Sequence, residues 1–156
     1  MTQSILILQP TTTLAQKEVG AKVHAGLNFL GFVSLIAGVV IIEYNKVRYN
    51  GPHFHSVHAY LGVITASLVL LQYLVGVTMY KAPRLYGGVD KARAIYKYHR
   101  RSGYLVLLMM LATVVSATQT DYNKNVLHIK LWAVLVLAVV IVAGVFPRIK
   151  RAKLGL

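Results

Sequence analysis

Six histidines and no cysteine occur among the 156 residues. The histidines are His24, His53, His55, His58, His99 and His128. Without cysteine there is no thiolate metal ligand, no disulfide and no thioether anchor for a haem. The neutral imidazole remains, and it is a good metal ligand. His24, His58, His99 and His128 each stand at or beside the start of a long stretch free of Asp, Glu, Lys and Arg. Two imidazoles opposed across one iron, each nitrogen about 2 Å from it, would hold a haem b. Zinc would want three or four donors gathered at one level, and no carboxylate lies within these stretches.

The elements that must carry these rings follow from the uncharged runs, which are Val23 to Ile42, Tyr49 to Tyr80, Ser102 to Thr120 and Leu131 to Pro147. Crossing roughly 30 Å of hydrocarbon at 1.5 Å per residue takes about 20 helical residues. The first and third runs match that length, the second includes an approach loop, and Lys130 can snorkel to lengthen the fourth. The composition agrees, with 56% hydrophobic and only 13% charged residues, where soluble domains carry about 25% charge. A buried soluble bundle would need polar helix faces, and none of the runs has a wide one. The fold class expected is all-α, a membrane bundle of four helices running up and down. Residues 23–147 form the haem-binding domain. They are preceded by residues 1–22, a helix remnant (Ser4 to Pro10) with a cytoplasmic turn, and followed by the basic tail 148–156.

With four spans, one side of the membrane, X, holds both termini and the connection from Lys81 to Arg101. Of 17 Lys and Arg, only Lys46, Arg48, Lys124 and Lys130 fall on the opposite side, Y. That asymmetry predicts X to be cytoplasmic, both termini included. The net charge of +13 lies in short blocks between apolar runs, as in loops facing an anionic leaflet, and is not read as a nucleic-acid surface. His24 and His99 then enter the bundle from X, and His58 and His128 from Y. Gly62 and Gly103 follow His58 and His99 by four residues, on the same helix face, where they would leave a notch for a macrocycle edge. The same offset is Asn28 after His24 and Trp132 after His128.

Lys22-Val-His24-Ala, His55-Ser-Val-His58-Ala-Tyr-Leu-Gly62 and Tyr98-His99-Arg-Arg-Ser-Gly103-Tyr resemble successive motifs of the cytochrome b561 family. The stretch Gln72 to Tyr104, with Leu85-Tyr-Gly-Gly-Val-Asp90, is most similar to fungal members. The resemblance implies six helices, of which the core four carry two haems b, and this chain looks like a member lacking the first one and a half. It implies that His24 and His99 ligate the cytoplasmic-side haem and that His58 ligates the other, opposite a histidine on an earlier helix. His128, which spacing alone offers as the partner of His58, lies on a helix that supplies no ligand in the family. His53 and His55 fall in the Y-side loop and are read as interfacial residues, near where a substrate pocket would lie.

The resemblance further implies transmembrane electron transfer from cytoplasmic ascorbate to monodehydroascorbate or a ferric chelate. Lys22 and Arg93 are the candidate contacts for an anionic reductant, although most of the X-side charge serves topology. A homodimer is compatible with this reading. The alternatives are a partly functional fragment, or a haem-binding anchor subunit of a larger quinone-linked complex.

Overall fold

The computed structural model describes residues 1–154; Gly155 and Leu156 of the basic tail lie outside the described residues. A short helix, α1 (Thr2–Leu6), precedes α2 (Leu14–Arg48), α3 (Val57–Lys81), α4 (Val89–Ala117) and α5 (Leu131–Val145), and a last turn, α6 (Arg151–Leu154), closes the described chain. No strand occurs among the described residues. Four segments are long and apolar enough to cross a membrane: α2, α3, α4, and α5 with its 3-10 extension to Arg148. Consecutive long helices pack against each other, and α1 lies against α2 and α5. The result is the all-α up-down bundle that the uncharged runs predict.

Local chemistry sets the helix starts. At Thr13 a capping box begins α2: the Thr13 hydroxyl accepts from Gln16 N, and Gln16 Oε1 accepts from Thr13 N at 3.3 Å. Ser56 Oγ accepts from Ala59 N at the start of α3. Gly87 and Gly88, at φ 83° and 111°, turn the chain between the 3-10 turn Pro83–Tyr86 and α4. A side chain at either position would be strained.

Two expectations change here. The connection expected from Lys81 to Arg101 is mostly helix, because α4 begins at Val89. Likewise α2 begins at Leu14, ahead of the uncharged run. Lys and Arg end an apolar run without ending a helix, since both are good helix formers. At 1.5 Å per residue the 35 residues of α2 extend about 52 Å, beyond the roughly 30 Å hydrocarbon layer. The charged ends therefore project as helix into the interface.

Large apolar side chains point outward, with Leu30 and Val139 each 64% exposed, the pattern of a bundle whose solvent is lipid. The small buried core joins Ile5, Leu107 and Val145, with Tyr104 and Leu111 against it. Polar contacts fill the α3–α4 seam, the most extensive interface. Thr65 and Thr113 hydroxyls meet there at 2.9 Å, a membrane-type interhelical bond. Between α2 and α3, Phe32 and Tyr73 stack at 4.7 Å with ring planes 3° apart.

Candidate functional site

α2 and α4 enter from the same side, and their histidines meet. The His24 and His99 ring centroids are 6.4 Å apart, with planes 78° from parallel. Both rings are half-buried. The His24 ring is held from α1: its Nδ1 lies 2.8 Å from the Ser4 carbonyl oxygen. A carbonyl only accepts, so Nδ1 carries the proton and Nε2 keeps its lone pair. That lone pair accepts from Asn28 Nδ2 at 3.2 Å; the same amide donates to the His24 carbonyl, and Ser4 Oγ donates to Asn28 Oδ1.

His99 is held differently. A Cβ built on Gly76 of α3 would lie 3.0 Å from His99 Cε1 and 3.5 Å from Nε2. The ring therefore rests on bare backbone, and the notch beside it belongs to the neighbouring helix. Gly103, the notch expected on its own helix, receives the Gln72 amide instead: a Cβ there would lie 3.0 Å from Gln72 Nε2. Gln72 and Gly76 are four residues apart on α3, as His99 and Gly103 are on α4, so the two helices interlock reciprocally. His99 Nδ1 is buried without a hydrogen-bond partner.

At the other end of the α3–α4 seam, His58 Nδ1 lies 3.0 Å from the Thr113 carbonyl oxygen, to which it donates, and 3.3 Å from Ser116 Oγ. Nε2 is again left as the basic nitrogen. At Gly62 a Cβ would meet nothing within 4 Å, so the notch expected beside His58 is open.

His128 does not start a helix. It is exposed, in left-handed backbone at φ 55°, after the π turn Asn123–Leu127 and ahead of α5. A loop defined by polar contacts, among them Asn123 Nδ2 to the Thr118 and Ile129 carbonyls, separates it from the span, and the apolar run beginning at Leu131 concealed that loop. His53 Nδ1 pairs with Glu43 Oε2 at 3.2 Å, and His55 Nδ1 lies 3.0 Å from the Pro52 carbonyl, both near the Y-side end of α2. Lys22 Nζ bonds Glu18 Oε1 at 2.8 Å, and Arg93 Nη1 lies 3.8 Å from Asp90 Oδ1. Both candidate anion contacts are exposed and share their charge with a carboxylate on their own helix. Ser4, Gln72, Gly76 and Thr113 were not singled out from sequence, because each acts across helices and has no signature along its own.

The sequence model of eukaryotic cytochrome b561 matches residues 1–125. This chain belongs to the cytochrome b561 family. Curated relatives include the plasma membrane ascorbate-dependent reductase CYBRD1 of Xenopus tropicalis, 28% identical over 107 residues, 68% of this chain and 37% of that protein. The protein of the same name from Rattus norvegicus is also 28% identical, over 68% of this chain and 36% of its own length. The chain thus spans little more than a third of the relatives it matches. No solved structure matches it at a significant level.

Cytochromes b561 are haem b proteins, and the residues present fit that group. Two nitrogens each about 2 Å from one iron put the ring centroids roughly 6 Å apart, close to the 6.4 Å between His24 and His99. His24 and His58 have their Nδ1 protons fixed on carbonyls, the outer-shell contact that orients a ligand imidazole. Among the described residues no three His, Cys, Asp or Glu side chains gather as a metal-holding group. The pair is a two-donor arrangement, which suits a macrocycle that supplies the other four.

Proposed function

We propose that this cytochrome b561 carries electrons across a membrane, with one haem b held by His24 and His99 and a second site begun by His58. The observation that carries this reading is the meeting of the His24 and His99 rings at 6.4 Å from helices entering on the same side. When bound, haem supplies a one-electron carrier that cycles between ferric and ferrous iron. The protein's part is to orient and insulate. The Ser4 carbonyl fixes the His24 tautomer and leaves Nε2 as the ligand nitrogen, and the Thr113 carbonyl does the same for His58. Bare backbone at Gly76 lets the His99 ring lie against α3. His128 is left out of the ligand set because it sits exposed on a loop.

Ascorbate is the proposed donor on side X, where Lys22 and Arg93 would attract the anion, and a ferric chelate or monodehydroascorbate is the proposed acceptor on side Y. The test uses purified protein in liposomes enclosing a ferric chelate. Added ascorbate should reduce the haem band within the mixing time, and ferrous iron should accumulate inside. A protein whose haem is reduced by dithionite but never by ascorbate would rule out the donor.

The charge asymmetry carries a topology proposal as well. Thirteen of the 17 Lys and Arg lie on X, so both termini should be cytoplasmic. A reporter fused after Leu156 should be active only in the cytosol; glycosylation of a lumenal acceptor tag placed there would invert the orientation.

A further inference from the structure

His99 lacks the anchor that the other two rings have. His24 and His58 each direct an Nδ1 proton at a backbone carbonyl, whereas His99 Nδ1 is buried without a partner. A ligand imidazole ordinarily depends on that bond for its tautomer and its plane. In its place the structure holds the His99 backbone. Gln72 Nε2 donates to the His99 carbonyl at 2.6 Å. Gln72 Oε1 lies 2.8 Å from Ser102 Oγ, whose single proton is shared with the Tyr98 and His99 carbonyls at 2.9 and 3.1 Å. Both ends of an amide at membrane depth are thus occupied, as burial of a polar group requires. Gly103 admits the amide, and one turn along α3 Gly76 seats the ring. Backbone and ring of one residue are therefore gripped by adjacent turns of the same helix.

We propose that Gln72 is a positioning residue for His99: its amide clamps the His99 carbonyl to α3 and thereby sets the plane in which the ring faces His24. This rests on the reading of His24 and His99 as haem ligands. The low-spin EPR signal of a bis-histidine haem responds to the angle between its ligand planes, and its midpoint potential to the contacts that hold them. A residue that merely glues helices together would change stability and leave both where they were.

The experiment uses the full chain with haem bound. Gln72→Met keeps the length and removes both hydrogen bonds. Gln72→Glu keeps the length and, when protonated, a donor and an acceptor. Gln72→Met should retain haem with a displaced EPR signal and midpoint potential, and Gln72→Glu should return both toward the parent. Thr65→Val, which breaks the Thr65–Thr113 bond in the same seam, should lower the melting temperature and leave the His24–His99 signal in place. Parental EPR and midpoint in Gln72→Met, or an equal displacement in Thr65→Val, would overturn the proposal. If Gln72→Met does not accumulate, Ser102→Ala reads the same clamp from its other end: a displaced signal supports it and an unchanged one overturns it. A parent whose signal survives His99→Ala sinks the ligand pair and the proposal with it; an undisplaced Gln72→Met signal sinks the proposal alone.

Discussion

Replacing His99 with alanine should remove one low-spin haem per chain and leave the helix content unchanged. In the proposed site the ring is one of two donors, and among the described residues no third His, Cys, Asp or Glu gathers with His24 to take its place. Replacing His24 should remove the same haem, but at a greater cost to the fold. His24 Nδ1 satisfies the Ser4 carbonyl, and a buried acceptor left without its donor costs about 1–3 kcal/mol. The His99 Nδ1 has no partner, so loss of the ring orphans no carbonyl and opens a void over Gly76. The measurements are haem per protein by pyridine haemochrome, circular dichroism, and thermal melting of the haem-free proteins. His128→Ala serves as comparison and should keep the full haem complement, because that ring lies on an exposed loop. A His24/His99 double variant with parental haem content would refute the pairing.

The architecture was legible because lipid imposes a simple rule: a helix that crosses must carry an uncharged run of sufficient length. Each of the four runs from Val23, Tyr49, Ser102 and Leu131 overlaps a membrane-length helix over most of its length. The rule reports hydrocarbon depth and nothing about where helix ends. Helix α4 therefore extends back through Arg101, Lys97, Arg93 and Lys91 to Val89, and α2 back to Leu14. His128 was drawn toward α5 by the same error in reverse, since the run from Leu131 gives no sign that the π turn Asn123–Leu127 and a left-handed residue come first.

The histidine levels follow from topology, because two helices entering from one side bring early residues to one depth; the structure places His24 and His99 within ring contact. What surrounds the rings was not legible. An i to i+4 offset relates residues along one helix, so Gly103 was the glycine that sequence could associate with His99. The glycine that touches the ring is Gly76, on the neighbouring helix. α3 is mostly apolar, but His58, Thr65 and Gln72 recur every seven residues on the side that meets α4. Gln72 interrupts that apolar surface. A polar amide within a membrane span is a signal that a partner lies opposite, and with His58 and Thr65 at the same spacing it could have pointed to this face.

Gly76 is consequently a position where one added side chain should displace a proposed ligand ring without replacing it. A Cβ there would stand 3.0 Å from His99 Cε1, closer than carbon atoms pack, so Gly76→Ala should push the ring by a few tenths of an ångström. Gly76→Leu cannot be accommodated in that way. Its branched end would occupy the space of the imidazole, and overpacking of this kind costs about 1–3 kcal/mol. If that cost falls on the ring's position, haem affinity should drop roughly ten- to a hundredfold, at about 1.4 kcal/mol per tenfold. Gly31→Leu on α2 is the matched control, because a Cβ there meets nothing within 4 Å, and it should bind haem as the parent does. Haem titration of the three proteins, followed by the Soret band, gives the comparison. The order of affinity should be parent and Gly31→Leu together, then Gly76→Ala, then Gly76→Leu. Parental affinity in Gly76→Leu would mean that the His99 ring does not rest on α3 when it binds, and the seat assigned to it would be wrong.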